Sequence, residues 1–313
     1  MLAFLFPGQG SQRVGMAAEL LSARPDVFEE TIGQAEARSG LPIKRLCLEG
    51  PQEELTDTAV AQPALFALSM AVLRLAGEAG LEAGGVAGHS LGEYSAVVAA
   101  GCLEWEAGLE LVCLRGRLMR DVQKETPGAM AAVVGLGMDR VTELCRQASE
   151  VGVVVVANRN SPDQNVVSGD SAAVDRLMEL AREAGAGQVV RLRVGAAFHS
   201  PLMEPVKEKM AAALQAASWS EPKRRLALNV TGRLAATAEE VRQGLIEQIT
   251  SPVRWTECIS ALVDAGAGSF AEVGPGRVLT GLMKSINPDV EAASVDGPKR
   301  LASYMAAHPA GDS

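Results

Sequence analysis

The strongest indication of chemistry in this sequence is Ser90, which lies in the stretch Gly-His-Ser-Leu-Gly at residues 88–92. The spacing G-x-S-x-G is typical of a nucleophile elbow, a sharp strand-to-helix turn that exposes the serine Oγ at the carboxyl end of a strand. The bare pattern is weak evidence in a chain with 32 glycines. Here apolar residues precede it and a small-residue helix pattern follows at 96–100, as the elbow requires. The sequence therefore predicts that Ser90 is a nucleophile.

A serine nucleophile needs a general base, and the chain has only three histidines. His89 is the covalent neighbour of Ser90 and is poorly placed to reach its Oγ, while His308 falls in a tail that we expect to be loose. Elimination leaves His199 as the base. No Asp or Glu stands out as a third member, so a dyad oriented by a backbone carbonyl or an amide side chain is as open as a triad.

Arg115 lies at the centre of an apolar helical face. Helical spacing predicts a helix from about Ala107 to Val122, with Arg117 and Arg120 pointing to solvent. The apolar residues that share the face of Arg115 are Leu111, Val112, Leu118, Met119 and Val122. A guanidinium on a buried face needs an anion, either a structural carboxylate or a substrate. Spacing alone slightly favours the structural partner.

A glycine-rich loop follows the first predicted strand. Leu2–Phe6 reads as a buried strand, and the sequence Pro-Gly-Gln-Gly-Ser-Gln continues it at residues 7–12. Such a loop allows a ligand or a reacting atom to approach backbone amides, although a plain tight turn gives the same pattern. Both interpretations stay open at this point.

Composition excludes several classes of protein. The chain has 313 residues, of which 48% are hydrophobic and 21% charged, as in an ordinary globular protein. A net charge of −9 and an aromatic content of 4% argue against nucleic-acid binding. The N-terminus lacks the pattern of a signal peptide, and we expect no membrane-spanning segment.

The cysteines are five, an odd number, and none forms a C-x-x-C pair. They are Cys47, Cys102, Cys113, Cys145 and Cys258. This scatter argues against a disulfide framework and against a zinc site. We therefore expect a reducing, cytoplasmic location and no bound metal.

Residues 129–194 predict a small domain inserted into a larger one. The pattern reads strand, helix, strand, strand, helix, strand, which is the βαββαβ order of ferredoxin-like domains. The predicted bounds are Ala129–Val134, Met138–Ser149, Val151–Ala157, Asn165–Val167, Ser171–Ala184 and Gln188–Val194. The chain enters at Pro127-Gly128 and leaves at Gly195. We therefore predict a large domain in two parts, 1–124 and 196–313, around a small domain at 125–195.

The second part of the large domain alternates helices and strands. The predicted elements are a helix at Pro205–Ala217, a strand at Leu226–Val230, a helix ending near Thr250, a helix at Cys258–Ala265 and a strand at Phe270–Val273. From Pro298 onward the composition thins into Ala, His, Pro, Gly and Asp, and we expect a mobile tail.

Six motifs resemble, in the same order, those of malonyl-CoA:acyl carrier protein transacylases. They are Phe6-Pro-Gly-Gln-Gly-Ser-Gln12, Gly88-His-Ser-Leu-Gly-Glu-Tyr-Ser-Ala96, Leu114-Arg-Gly-Arg-Leu-Met119, Asn158-x-Asn160-Ser-Pro162, Phe198-His-Ser-Pro201 and Glu272-Val-Gly-Pro-Gly276. The resemblance runs from residue 2 to about Leu282, and the set of motifs is highly specific. It implies an α/β fold, with an α/β-hydrolase-like large domain and an inserted small ferredoxin-like domain.

The resemblance also implies roles for the catalytic residues. Ser90 matches the nucleophile of the family and His199 matches its base. Gln248 matches the residue whose backbone carbonyl orients that histidine. The sequence Ala-Phe-His ending at His199 resembles malonyl-selective acyltransferase domains of polyketide synthases, so malonyl is favoured over methylmalonyl, and fatty acid and polyketide synthesis both stay open.

Further roles follow from the same resemblance. Gln9 and Leu91 match the two backbone amides of the oxyanion hole. Arg115 matches the arginine that binds the malonyl carboxylate, and Asn158 and Asn160 match substrate-binding positions. The implied partners are malonyl-CoA and an acyl carrier protein bearing phosphopantetheine, and we expect a monomer that needs no cofactor.

Two rival functions remain beside malonyl transfer. A thioesterase-like hydrolase uses the same serine and histidine, but has no need for an anchor such as Arg115. A catalytically silent docking module does not need an intact nucleophile and base. For carrier docking we expect a basic patch drawn from Arg191, Arg193, Lys207, Lys209 and Arg277.

Overall fold

A computed structural model of the 313-residue protein describes residues 1–308, and residues 309–313 lie outside the described part. The strands, in chain order, are β1 (Leu2–Phe6), β2 (Gly85–Gly88), β3 (Ala129–Val134), β4 (Val154–Ser161), β5 (Gln164–Gly169), β6 (Gln188–Arg191), β7 (Arg225–Leu228), β8 (Arg233–Leu234), β9 (Ser269–Val273) and β10 (Glu291–Val295). They form one sheet of six strands and one of four. The fold is therefore a mixed α/β fold, as predicted.

The six-stranded sheet has the order β10-β9-β1-β2-β7-β8. All neighbours are parallel except β7 and β8, which are antiparallel. The central strand β1 is apolar throughout because both of its faces are covered, and four of its five residues are buried. Phe6 pairs with Gly88, so the glycine-rich loop after β1 and the turn after β2 leave the same edge of the sheet side by side.

Helices cover both faces of this sheet. The helices of the first part of the chain are α1 (Ala18–Ala23), α2 (Pro25–Phe28), α3 (Gln34–Ser39), α4 (Ile43–Glu49), α5 (Gln52–Thr56), α6 (Thr58–Glu78), α7 (Gly92–Ala99) and α8 (Trp105–Glu125). Two helices, α9 (Met138–Ala148) and α10 (Ser171–Glu183), lie beside the small sheet instead. The chain then forms α11 (Glu204–Ala216), α12 (Ala238–Gln248) and α13 (Trp255–Asp264). The five cysteines are free and buried.

Helix α6 is longer than its sequence signals indicate. Asp57 caps it by accepting a hydrogen bond from the Ala59 N–H at 2.8 Å, so Pro63, a residue that favours the first turn of a helix, lies inside this one. The helix is also long and apolar enough to span a membrane, contrary to the expectation that no segment would be. In this fold 89% of its most apolar 18-residue stretch is buried, which is the pattern of a core helix.

The four-stranded sheet has the order β4-β5-β3-β6 and is antiparallel throughout. The element order predicted for residues 129–194 is present, and β3 has the predicted bounds. The other three strands have different bounds: β4 begins at Val154 rather than Val151 and continues four residues beyond Ala157, β5 is longer than Asn165–Val167 at both ends, and β6 ends at Arg191 rather than Val194. Helices α9 and α10 pack against one face of the sheet and bury Val141, Leu144, Val174 and Leu177.

Backbone hydrogen bonds join β4 of the small sheet to the loop between α12 and α13, in addition to the chain crossings. The N–H of Arg159 in β4 donates to the Val253 carbonyl at 2.9 Å, and the Val253 N–H donates to the Ala157 carbonyl at 2.8 Å. The parallel bridge between Asn158 and Val253 lies five residues after Gln248. Strand β4 is therefore held beside the loop that follows α12.

The C-terminal region is ordered, so the prediction of a mobile tail from Pro298 is wrong over the described residues. After β9 the chain forms α14 (Val278–Ile286), β10 and α15 (Pro298–Ala307). Leu301 and Tyr304 are buried, and His308 stacks on the Tyr304 ring with centroids 4.2 Å apart. Apolar residues every three to four positions fix this helix although its composition is tail-like. The last part of the predicted tail, 309–313, lies outside the described residues.

Candidate active site

Ser90 lies at a strained turn between β2 and α7. Its φ is +52°, a value that non-glycine residues rarely adopt. Glycine is required on both sides because a Cβ at Gly88 would collide with the Gly92 carbonyl, and one at Gly92 would collide with the Phe6 carbonyl. Asn229, at the end of β7, braces the turn: its Oδ1 accepts from the Ser90 N–H at 2.8 Å, and its Nδ2 donates to the Gly88 carbonyl at 2.7 Å.

His199 meets Ser90 across 109 residues of sequence. Its Nε2 is 2.8 Å from Ser90 Oγ, and its Nδ1 donates to the Gln248 carbonyl at 2.9 Å. A carbonyl only accepts, so Nδ1 carries the proton and Nε2 faces the hydroxyl as an acceptor. The arrangement is thus a dyad with a backbone carbonyl behind it, one of the alternatives that the sequence leaves open. His199 also has a positive φ, +59°.

The surroundings of His199 keep its ring neutral. The side chain is buried, and burial together with the nearby charge of Arg115 lowers its pKa to about 3. A neutral imidazole can accept the Ser90 proton, whereas an imidazolium cannot. The pair is therefore in the protonation state that nucleophilic attack by Ser90 requires at neutral pH.

Arg115 is 2% exposed, and its guanidinium points at the nucleophile. It donates to the side-chain oxygens of Gln62 at 2.8 Å, Gln248 at 3.0 Å and Ser90 at 3.2 Å. All three are neutral, and within residues 1–308 no carboxylate forms an ion pair with Arg115, so the structural partner that spacing slightly favoured is not found. Burial lowers the pKa of Arg115. Its guanidinium carbon lies 5.7 Å from the centroid of the Tyr94 ring.

Gln9 and Leu91 bring two backbone amides to the same edge of the large sheet. Gln9 lies in the loop after β1, where its Nε2 donates to Thr58 Oγ1 at 3.2 Å, and Leu91 follows Ser90 at the start of α7. Within residues 1–308 neither backbone N–H donates a hydrogen bond to another residue. Both residues line the cavity in front of Ser90. The two donors are therefore available to an oxyanion there.

The cavity in front of Ser90 has a volume of about 100 Å³. It is lined by Gln9, Gln62, His89, Ser90, Leu91, Arg115, Met119, Met130, Asn158, Leu192, Val194, Phe198 and His199. Met130 and Asn158 belong to the small sheet, so that sheet supplies one wall. The Asn158 Oδ1 is buried and has no hydrogen-bond partner within residues 1–308. An amide oxygen in this state needs a donor, which a bound ligand can supply.

Asn160 has a different environment from Asn158. Its Oδ1 accepts from the Nε2 of His89 at 2.8 Å, and the His89 ring packs against Trp255 with centroids 5.4 Å apart. His89 is thus turned away from Ser90 Oγ, as its position next to Ser90 in the chain predicts. Asn160 is not among the cavity-lining residues, so the structure brings Asn158 to the cavity and Asn160 to His89.

Three buried polar residues of the site are missed by sequence reasoning. Glu93 is fully buried one turn after Ser90, and its carboxylate accepts from the Asn229 N–H at 2.8 Å and from the Gln248 Nε2. Burial raises its pKa to about 7. Gln62 interrupts the apolar stretch 59–68 of helix α6, and this interruption is visible in the sequence. Asn229 begins an Asn-Val-Thr glycosylation pattern, and nothing in that pattern indicates its structural role.

Comparison with known proteins gives concordant matches. Residues 3–297 match the model of the acyl transferase domain family. The malonyl CoA-acyl carrier protein transacylase of Haemophilus influenzae is 43% identical over 94% of this chain and 95% of its own length, and that of Bacillus subtilis is 39% identical over 96% and 95%. The crystal structure of a malonyl-CoA:acyl carrier protein transacylase from Xanthomonas oryzae superposes with a TM-score of 0.91 at 42% identity, covering 98% of both chains.

A further solved structure contains a partner. It is a malonyl-transacylase in complex with its type II PKS acyl-carrier protein, with a TM-score of 0.93 at 39% identity over 98% of this chain and 99% of that one. These matches show that the chain belongs to the acyl transferase family and, within it, to the malonyl-CoA:acyl carrier protein transacylases. The resemblance drawn from the six motifs is confirmed.

Proposed function

We propose that this enzyme transfers a malonyl group from malonyl-CoA to the phosphopantetheine thiol of an acyl carrier protein. The observation that carries this proposal is a buried cation, Arg115, which forms no ion pair within residues 1–308 and lies beside a serine and a histidine in hydrogen-bond contact. An acyl group with a free carboxylate supplies the missing anion. The relatives from Haemophilus influenzae and Bacillus subtilis are malonyl CoA-acyl carrier protein transacylases, which agrees with this substrate.

The proposed chemistry is a double displacement through malonyl-Ser90. His199 Nε2 takes the Ser90 proton as Oγ attacks the thioester carbonyl. The N–H groups of Gln9 and Leu91 hold the oxyanion, which contributes about 3–4 kcal/mol per donor in comparable sites. The tetrahedral intermediate collapses, the C–S bond breaks, and the CoA thiolate leaves with the proton from His199.

The second half repeats these steps with the carrier. His199 takes the proton of the phosphopantetheine thiol, the sulfur attacks the malonyl ester, and Ser90 Oγ leaves and recovers its proton. The carbonyl of Gln248 holds the His199 ring in one tautomer through both halves. A thioester is already activated, so we propose that the reaction needs neither a metal nor a redox cofactor.

Asn158 and Asn160 are proposed to act differently. The buried, unpartnered oxygen of Asn158 supports a direct contact with substrate. Asn160 is proposed to act through His89, whose ring it holds.

We further propose the finer fold assignment that the sequence indicates. A parallel sheet with its nucleophile at the carboxyl end of β2 supports an α/β-hydrolase-like large domain at 1–124 and 196–313. The antiparallel order β4-β5-β3-β6 supports a ferredoxin-like small domain at 125–195. The protein is also proposed to act as a monomer, which native mass spectrometry tests directly.

Carrier docking is proposed at the mouth of the cavity. Leu192 and Val194 line the cavity, while Arg191 and Arg193 on the same segment are exposed. Carrier proteins of this family are acidic, so these arginines have the complementary charge. Arg191 and Lys207 are weaker candidates than Arg193 because Arg191 already pairs with Asp175 and Lys207 with Glu247.

The pathway is proposed to be fatty acid biosynthesis. The alternative is the supply of malonyl groups to a polyketide synthase. One observation supports it, the structural match to a malonyl-transacylase solved with a type II PKS acyl-carrier protein. Comparing transfer rates to carriers of both kinds separates the two: the preferred carrier identifies the pathway.

Incubation with labelled malonyl-CoA, with and without carrier protein, tests the proposed activity. We expect label on the carrier and, in its absence, one malonyl group on the peptide that contains Ser90, found by mass spectrometry after rapid quenching. A Ser90→Ala variant serves as the control and should remain unlabelled. Label released as free malonate indicates a hydrolase, and label on another residue contradicts the assignment of Ser90.

A further inference from the structure

The feature that carries this inference is the way in which the protein holds Arg115. A buried guanidinium is costly without compensation, and a common solution is a carboxylate at hydrogen-bond distance. Here the two side chains that fix it, Gln62 and Gln248, are amides, which accept a hydrogen bond but bring no charge. Arg115 is thus held in position without being neutralised by them.

The orientation of the Gln62 amide is fixed by its surroundings. A guanidinium only donates, so Oε1 of Gln62 must face Arg115 Nη1, at 2.8 Å. The other end of the amide, Nε2, lies 3.2 Å from the Met119 sulfur, a weak acceptor. Gln62 is itself 1% exposed and is the polar residue within the apolar stretch 59–68 of helix α6. A buried amide on such a helix has no solubility role, which directs attention to its contact with Arg115.

Gln248 lies between Arg115 and the buried side chain of Glu93. Its Oε1 accepts from Arg115, and its Nε2 donates to the Ser90 carbonyl at 2.9 Å and to the Glu93 carboxylate. The carboxylate that could neutralise the guanidinium is therefore bound to the opposite end of an amide. All three side-chain oxygens that accept hydrogen bonds from Arg115 are neutral.

Arg115 also has hydrogen-bond donors that the fold does not use. A guanidinium has five N–H donors, of which three are used for Gln62, Gln248 and Ser90. The Nε–H is buried and has no partner within residues 1–308. The site thus has unused donors on a cation that forms no ion pair within residues 1–308, which is the state that a carboxylate-bearing acyl group satisfies.

We propose that Gln62 is a specificity-determining residue: its neutral oxygen positions Arg115 while leaving the positive charge for the acyl group. The inference rests on the proposed malonyl transfer. It predicts that Gln62→Glu, which keeps the shape and adds one negative charge, gives Arg115 an internal counter-ion. An incoming malonyl carboxylate then meets a paired cation and an adjacent like charge, whereas an uncharged acetyl group meets neither penalty.

The test measures kcat/KM for acylation of Ser90 by malonyl-CoA and by acetyl-CoA, in the full chain without carrier protein. For Gln62→Glu we expect the malonyl value to fall by about 100-fold, with acetyl changed by no more than about 3-fold. The melting temperature should be equal or higher, because the buried cation has gained a partner. Gln215→Glu, an exposed position on α11, is the control for an added negative charge and should change neither substrate.

A double-mutant cycle keeps the proposal testable if Gln62→Glu does not fold. Gln62→Met removes the oxygen without adding charge, and it is compared in the native chain and in an Arg115→Met background. We expect Gln62→Met to lower the malonyl-over-acetyl ratio in the native chain and to leave it unchanged when Arg115 is absent. Equal effects in the two backgrounds show that Gln62 does not act through Arg115.

The outcomes separate this proposal from the one on which it rests. A native chain without a malonyl preference overturns both. A native preference that Gln62→Glu leaves unchanged overturns the role of Gln62 alone. The same conclusion follows if Gln62→Glu lowers both substrates equally together with the melting temperature, since that is the behaviour of a residue that only supports the fold.

Discussion

Replacing Arg115 by alanine is the most direct perturbation of the acyl site. The guanidinium is buried, makes three hydrogen bonds to neutral oxygens and has an unused Nε–H donor. If it binds the malonyl carboxylate, its loss leaves that anion in the cavity without a cation to bind it. Truncating one partner of such a pair costs about 2–5 kcal/mol, which corresponds to a fall of about 30- to 5,000-fold in kcat/KM.

The same change should affect acetyl-CoA differently. Acetyl has no carboxylate, so its kcat/KM should fall little or even rise once an uncompensated cation no longer faces a methyl group. Arg115→Lys should recover only part of the malonyl loss, because an ammonium cannot reproduce the planar fork of a guanidinium. The ratio of the two substrates is therefore the informative quantity.

The assay is rapid-quench acylation of Ser90 by labelled malonyl-CoA and acetyl-CoA without carrier protein. Arg117→Ala is a matched control, since Arg117 lies on the same helix, α8, but is exposed. It should leave both rates unchanged. Thermal unfolding of each variant shows whether the native fold persists.

One result refutes the reasoning about Arg115. If Arg115→Ala is folded and retains the native malonyl-over-acetyl ratio, the guanidinium does not bind the malonyl carboxylate. A variant that loses both substrates in equal proportion, with a lower melting temperature, assigns Arg115 to the fold instead.

Three further predictions concern charge. Because the pKa of His199 is lowered to about 3, the neutral base persists well below pH 6.5, so kcat/KM for acylation should show no acid limb near that pH; in Arg115→Ala the limb should move upward, and a native limb at pH 6.5 contradicts the assigned environment. The folded-state pKa of Glu93 is raised from 4.5 to about 7, so the native state binds this proton more tightly than the unfolded chain and loses stability as pH rises through that window. Between pH 4.5 and 8 the native chain should therefore lose about 3 kcal/mol more unfolding free energy than Glu93→Gln, as measured by urea titration. If the pH dependence of the unfolding free energy is the same in both proteins, Glu93 is not a buried, titrating group. Finally, transfer to carrier should fall with added salt more steeply than acylation by CoA, and Arg193→Ala should reduce the difference; equal slopes argue against a basic docking surface.

Local pattern predicted most of the elements of the fold. The strands at Leu2–Phe6 and Ala129–Val134 have the predicted bounds, because period and turn residues are read from neighbouring positions, whereas the other three strands of the small sheet differ by up to four residues at their ends. The C-terminal segment was the main error. The helix Pro298–Ala307 is rich in alanine and ends near Pro309, and its order depends on packing of Leu301 and Tyr304 that only the tertiary structure supplies.

The site was predictable only where one residue type decided the question. Ser90 follows from its glycines and His199 from the scarcity of histidine. Glu93 and Asn229 could not be found in this way, because their value lies in contacts with each other across 136 residues. Periodicity placed Arg115 on a buried face but could not show that its partners are amides.

The bridge between Asn158 and Val253 has a consequence for recombining enzymes of this family. Segment 129–194 looks like an exchangeable cassette, since the chain enters and leaves it beside the Gly128–Gly195 hydrogen bond of 3.1 Å. Yet β4 is also hydrogen-bonded to the loop that follows Gln248, and the Gln248 carbonyl accepts the hydrogen bond from His199 Nδ1. A crossover at the two chain crossings alone would pair a foreign strand with the native loop. Functional chimeras should therefore carry residues 249–254 along with the small sheet, as a third, non-contiguous part of the cassette.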